Sequence, residues 1–130
     1  MASELRVNTL KDASGNNSVG MSYVANGSAK AWWEANTSGT QTVNDSLNVA
    51  SITDEGTGLS TIAWTSAFGT DQYTTPLGRS GNSNNSAFFV AEGYAITASA
   101  FSFVGKFSDN SSITLADMGF VSSSHHGDLA

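Results

Sequence analysis

Two adjacent histidines, His125 and His126, are the only imidazole side chains in this chain of 130 residues. Neighbouring side chains on an extended chain point in opposite directions, so the pair makes a poor two-ligand metal site. If three chains met at an axis, three copies of one histidine could surround an ion. The position of the pair near the C-terminus favours an exposed polar tail instead, and we expect no metal and no other cofactor.

Serine and carboxylate chemistry is also weakly supported. A Ser-His-Asp arrangement would depend on the same two histidines, and the sequence contains no Gly-x-Ser-x-Gly elbow. The 11 acidic residues could in principle supply a glycosidase pair, but nearly all of the candidates lie in predicted turns, where Asp commonly bonds nearby backbone amides. These candidates are Asp45, Asp54, Glu55, Asp71, Asp109 and Asp117. We therefore expect a protein that is not an enzyme.

A binding surface is the chemistry that the composition leaves open. Ser, Thr, Asn and Gly account for 58 residues, and only 12% of the residues are charged. Such a surface offers hydroxyls and amides to sugars or to neighbouring subunits, although the same residues could merely satisfy turns and exposed sheet faces. Residues 69–86 form a long predicted loop, either a recognition loop or a solvent-exposed connector. Its candidate recognition residues, among which the tyrosine could stack on a sugar ring, are Tyr73, Arg79, Asn82, Asn84 and Asn85.

Alternating apolar and polar residues predict the strands that would position such a surface. Residues 28–35 read as a strand that places Trp32 and Trp33 on opposite faces, although a helix is a rival interpretation. One tryptophan would then belong to the core, and the other would need a second buried surface such as a subunit interface. The aromatic residues assigned to a core or an interface are Trp32, Trp33, Trp64, Phe101 and Phe103.

Short strands separated by turns indicate an all-β fold. Residues 41–67 give the clearest hairpin, with a turn at 54–58 and a phase shift between Val49 and Ile52 that predicts a bulge. We expect a short extended N-terminal arm, residues 1–27, followed by an antiparallel β-sandwich or jelly-roll-like domain, residues 28–130.

Several protein classes are excluded by composition. The chain has no Cys, so disulfide staples and zinc-thiolate sites are ruled out. Five basic residues and a net charge of -6 argue against a nucleic-acid partner. The sequence shows no apolar run of membrane-spanning length and no signal-peptide core near its beginning, so we expect no membrane insertion.

Several blocks of the sequence resemble tail-fibre-like proteins of bacteriophages, notably marine and cyanobacterial ones. They cover roughly the first half of the chain and its end. The blocks are ELRVNTLKDASGNNS at residues 4–18, GSAKAW at 27–32, DSLNVASITDEGTG at 45–58 and the pair Gly127 and Asp128.

The resemblance implies a β-rich virion structural protein that is commonly a homotrimer. An N-terminal segment would dock to the particle through a tail-tube, adaptor or capsid protein, and the C-terminal domain would project outward and contribute to attachment to host-surface glycans. The implied docking or trimerisation residues are Leu5, Arg6, Val7, Asn8 and Leu10. The chain has no long fibrous repeat, which excludes a long shaft. A capsid decoration or head-fibre protein is therefore the alternative to a short tail-fibre component.

Overall fold

Two antiparallel sheets pack face to face, and a small N-terminal arm precedes them in the sequence. A computed structural model describes residues 3–79, 88–108 and 112–130, and its architecture confirms the all-β, sandwich-like class. The strands of the two sheets are β3 (Ala31–Asn36), β4 (Thr42–Leu47), β5 (Val49–Gly56), β6 (Leu59–Trp64), β7 (Leu77–Arg79), β8 (Phe88–Ile96), β9 (Ala100–Ser108), β10 (Ile113–Leu115) and β11 (Val121–His125).

The four-stranded sheet has the order β4-β3-β11-β7. Strand β3 fits this central position because Ala31, Trp33 and Ala35 alternate with more polar or exposed positions, and these three side chains are buried. Strand β11 shows the same alternation, with Val121, Ser123 and His125 buried. The predicted strand near residues 28–35 is thus confirmed, and the rival helix is not formed.

The second sheet has five strands. Strand β9 is its centre: β8 pairs along one edge of β9, while β6 and then β10 pair along the other, and β5 continues outward from β6. The hairpin of β5 and β6 turns at Thr57 and Gly58, within the predicted turn. A register shift between Val49 and Ser51 confirms the bulge that the phase of the apolar residues predicted.

The predicted hairpin over residues 41–67 is wrong in its first strand. Strand β4 pairs with β3 in the four-stranded sheet, so the chain crosses between the sheets at Asn48. Asn48 adopts a left-handed backbone with φ 60°, a conformation that Asn tolerates better than most residues. Its amide side chain holds the crossing by bonding both backbone groups of Ser66, at 2.7 Å and 2.9 Å.

The N-terminal arm, here residues 3–27, contains β1 (Thr9–Lys11), β2 (Ser18–Gly20) and the helix α1 (Met21–Gly27). Strands β1 and β2 pair as a hairpin, and Asp12 orders its turn by accepting hydrogen bonds from Ser14, Asn16 and Asn17. The arm is therefore only partly extended, since its last seven residues are helical. Among the described residues α1 is the sole helix, and it is far too short to span a membrane.

The core between the sheets consists mainly of aromatic rings. Trp33 stacks on Phe103 across the sandwich with ring centres 4.9 Å apart. Small residues let the rings and the backbone approach closely: a Cβ atom on Gly105 would lie 2.6 Å from the Met118 side chain, and one on Gly127 would lie 2.8 Å from Tyr73 Cβ. The core cluster is formed by Ala31, Trp33, Ala35, Ile62, Trp64, Phe68, Tyr73, Phe101, Phe103, Met118 and Val121.

Candidate functional site

His125 lies in this core and not in an exposed tail, so the expectation for it was wrong. Its side chain is 0% exposed. Trp33 Nε1 donates a hydrogen bond to His125 Nε2 at 2.9 Å, and the rings of Trp64 and Phe101 pack edge-on with centres 4.7 Å and 5.0 Å away. Residues near the end of a sequence are usually exposed, but this one belongs to a strand that fills the middle of a sheet.

The surroundings of His125 keep it neutral. Burial, with a smaller contribution from His126, lowers the pKa of His125 to about 4. Because Nε2 accepts from Trp33, the proton of the neutral ring is on Nδ1, and this atom has no hydrogen-bond partner among the described residues. The next side chain, His126, points the other way, and its Nδ1 lies 3.1 Å from the carbonyl oxygen of Gly27. Because the two imidazole rings point in opposite directions, they cannot bind one metal ion together.

Tyr73 is also a core residue, which overturns its assignment as a sugar-stacking residue. Its side chain is 7% exposed and stacks on Phe68 with ring centres 4.2 Å apart. The Tyr73 hydroxyl lies within donating distance of the carbonyls of Thr97 and Ala100, at 3.0 Å and 3.1 Å, and accepts from Trp64 Nε1 at 3.3 Å. Burial raises the pKa of the phenol. The ring has no face left for a ligand.

In its described part, the rest of the predicted recognition loop is not a simple solvent-exposed connector, because backbone hydrogen bonds hold it against the four-stranded sheet. Thr74 and His126 exchange two backbone hydrogen bonds, and residues 77–79 form β7 at the edge of the four-stranded sheet. Arg79 ends this strand. Residues 80–86 lie outside the described residues, and with them Asn82, Asn84 and Asn85.

The tryptophans assigned to a core or an interface separate as the alternation predicted. Trp33 is 1% exposed, whereas Trp32 is 37% exposed on the outer face of β3. Trp64, Phe101 and Phe103 are buried. Trp32 is therefore the aromatic side chain of this set that a ligand or a partner could reach.

Trp32 borders a groove of about 460 Å³ on the outer face of the four-stranded sheet, and we call it the outer groove. Apart from Trp32 and Trp33, its lining residues were not among the predicted site residues, although the run Ser122–Ser124 within β11 was a possible signal. The outer groove is lined by Trp32, Trp33, Glu34, Pro76, Leu77, Gly78, Ser122, Ser123 and Ser124.

The outer face of the five-stranded sheet is more apolar. Tyr94, Ile113 and Leu115 are exposed there, and Leu59 is half-buried. Val104, directly opposite Leu59, is buried although it does not belong to the core cluster. Tyr94 also borders a cleft of about 360 Å³ together with Glu55 and Thr61.

The side chains assigned to docking are gathered on the arm and are largely exposed. Leu5 is 80% exposed and Leu10 42%. Arg6 forms an exposed ion pair with Glu4 at 2.8 Å, Val7 is half-buried, and the backbone carbonyl of Asn8 accepts from Met21 N at 3.0 Å. The arm carries further exposed apolar side chains on α1 and β2, among them Tyr23, Val24 and Val19.

Within residues 3–79, 88–108 and 112–130, no three His, Cys, Asp or Glu side chains come close enough together to hold a metal ion. Comparison of the chain with protein-family models, with curated proteins and with solved structures finds no match. The chemistry of the surfaces and the resemblance of the sequence blocks are therefore the observations that bear on function.

Proposed function

We propose that this chain is a structural, non-enzymatic subunit of a bacteriophage particle, of the short tail-fibre type. Sister copies would associate as a homotrimer, the arm would dock to another virion protein, and the sandwich would contribute to attachment to host-surface glycans. The resemblance of residues 4–18, 27–32 and 45–58 to phage tail-fibre-like proteins supports the assignment to a virion.

The observation that carries the docking role is the apolar surface of the arm. Exposed apolar patches mark interaction sites more often than chance allows, and a two-stranded hairpin such as β1 and β2 is only marginally stable in water by itself. A partner surface would cover Leu5, Leu10 and Val19 and would stabilise the hairpin at the same time.

The outer face of the five-stranded sheet supports association of sister copies. Interfaces between identical subunits are enriched in apolar and aromatic side chains and depleted of charge. Tyr94, Ile113 and Leu115 provide apolar and aromatic side chains for such an interface, and cyclic association would cover them on every subunit.

Two variants of the full-length protein separate these roles. The arm variant replaces Leu5, Leu10 and Val19 by Ser, and the face variant replaces Ile113 and Leu115 by Ser. We expect wild type and the arm variant to sediment at three times the chain mass of 13.5 kDa, and the face variant to sediment as a monomer. Wild-type protein that sediments as a monomer contradicts the homotrimer.

Incorporation into particles tests the virion role separately. In phage assembled with tagged protein, wild type should co-purify with particles, and the arm variant should be lost from them while remaining folded by circular dichroism. Equal incorporation of both would contradict docking through the arm, and absence of wild type from particles would contradict the virion role.

A capsid decoration or head-fibre protein is the second candidate, favoured by the absence of a fibrous repeat within residues 1–130. Imaging of gold-labelled protein on particles distinguishes the candidates. Label at the tail supports the fibre role, whereas label over the shell and binding to empty capsids support the decoration role.

A further inference from the structure

The outer groove exists because β11 and β7 carry small side chains on their outer face. Ser122 lies opposite Glu34 on one side and Gly78 on the other, and Ser124 lies opposite Trp32. A Cβ atom on Gly78 would be 3.1 Å from Ser122 Oγ, so a larger residue there would fill the floor. With strands about 4.8 Å apart, the floor between β3 and β7 is about 10 Å wide.

The two sides of the outer groove are held in place. Trp32 lies opposite Leu47 of β4, which stands beside the indole on the same face of the sheet. On the other side, Ser123 Oγ donates to the carbonyl of Pro76 at 2.9 Å and fixes the segment that leads into β7. Preorganised walls reduce the entropy cost of binding a ligand.

Glu34 supplies a positioned acceptor next to the indole. The register of β3 and β4 shifts between Glu34 and Ala35, so Asn44 is left over as a bulge residue. Asn44 Nδ2 donates to Glu34 Oε1 at 3.3 Å and orients the carboxylate. Ser122 and Ser124 add hydroxyls that can donate and accept.

The charge of the outer groove selects among ligands. Among the described residues that line the groove none is basic, Glu34 carries a negative charge, and Asp45 lies directly opposite Glu34 on β4. With a net charge of -6 over the chain, phosphate, sulfate and uronic-acid groups would be repelled. A sister copy is also a poor occupant, because it would have to desolvate a carboxylate and two hydroxyls.

We infer that the outer groove binds a neutral hexose unit of a surface polysaccharide. The C–H face of the pyranose ring would pack on Trp32, and the hydroxyls at the ring edge would donate to Glu34 and exchange hydrogen bonds with Ser122 and Ser124. An aromatic ring beside a few convergent polar groups is the usual composition of a specific small-ligand site. This inference gives the glycan-attachment part of the proposed function a location, and it rests on that part.

Affinity electrophoresis and tryptophan fluorescence on the purified full-length protein test the inference. The probes are dextran, laminarin, mannan and agarose oligosaccharides, with dextran sulfate as the anionic counterpart. We expect wild type to bind at least one neutral probe with a change in tryptophan emission, and not to bind dextran sulfate. Trp32→Ala should weaken binding on the order of tenfold or more, and Trp32→Tyr should restore part of the loss.

Matched variants make the result specific to the groove. Glu34→Gln keeps the shape and removes the charge-assisted acceptor, so it should weaken binding by a smaller factor than Trp32→Ala. Gln72→Ala removes an exposed side chain that lies outside the outer groove and should leave binding unchanged.

Three outcomes would overturn the inference. If Trp32→Ala binds a neutral probe as wild type does, the glycan role of the protein stands and the groove is the wrong site. If wild type binds no neutral probe but is incorporated into particles, the groove is not a sugar site and the virion role stands. If Trp32→Ala changes the sedimenting mass, the groove is an interface between sister copies.

Discussion

Trp33 and Trp32 are adjacent on β3, and they experience opposite environments. The indole of Trp33 is 1% exposed, stacks on Phe103 and bonds His125, whereas Trp32 is 37% exposed beside serines and a carboxylate. The pleat of the strand alone separates them. In this sandwich the inner faces therefore determine stability, and the outer faces are free to determine binding.

The largest expected effect on stability comes from the inner tryptophan. Trp33→Ala should lower the free energy of unfolding by about 3–5 kcal/mol, because it opens a cavity in the ring core and leaves His125 Nε2 without its donor. Trp32→Ala should change it by less than about 1 kcal/mol. Urea unfolding measures both values, and equal losses for the two variants would remove the distinction between the faces.

A change of pH tests the inner face without removing a ring. The folded protein disfavours protonated His125, so the unfolded chain binds more protons between pH 6.5 and about 4. The stability contributed by neutral His125 is complete above pH 6.5 and decreases as the pH falls through this window. We expect a loss of about 3 kcal/mol in the free energy of unfolding between these limits.

Two variants test whether His125 causes that pH dependence. His125→Gln offers an amide oxygen to Trp33 and cannot titrate, so its unfolding free energy should change less between pH 6.5 and 4 than that of wild type. His126→Gln should retain most of the wild-type dependence, because burial is the larger cause of the lowered pKa of His125. The same slope in wild type and in His125→Gln would show that other groups cause the loss.

Close packing at Gly127 provides a smaller effect. An added Cβ atom would lie 2.8 Å from Tyr73 Cβ and 3.3 Å from Phe68 Cδ1, so Gly127→Ala should lower the free energy of unfolding by about 1–3 kcal/mol. Gly119→Ala is the matched control because nothing lies within 4 Å of its added atom, and it should cost less than about 1 kcal/mol. Thermal unfolding compares the pair, and equal melting temperatures would contradict tight packing at this end of the core.

Local patterns were enough to predict the strands and the division between the tryptophans. The alternation of Ala31, Trp33 and Ala35 has the period of a half-buried strand, and the glycines at 56 and 58 marked the β5–β6 turn. The strand alternation and the turn both depend on residues that are close in sequence, so the amino-acid sequence alone is enough to predict them.

The predictions that were wrong concern features that depend on pairing between residues far apart in the sequence. The residues around Asn48 do not reveal that β4 and β5 belong to different sheets. A polar turn at this point fits both a hairpin within one sheet and a crossing between two sheets. Tyr73 and His125 looked exposed because polar residues surround them in sequence, but partners far along the chain, Trp33 and Ala100 among them, enclose them. The outer groove was hidden for the same reason, because its serines and its indole come from strands about 90 residues apart.

The position of β11 between β3 and β7 has a consequence for biosynthesis. The four-stranded sheet cannot join β3 to β7 until β11, which ends at residue 125, has left the ribosome, although β3 and β4 emerge long before. Until then Trp33 and Phe101 lack their common neighbour His125, and we expect a chain in that state to aggregate more readily than the folded protein. A chain truncated before Val121 therefore lacks the strand that joins β3 to β7, and we expect it not to form the sandwich.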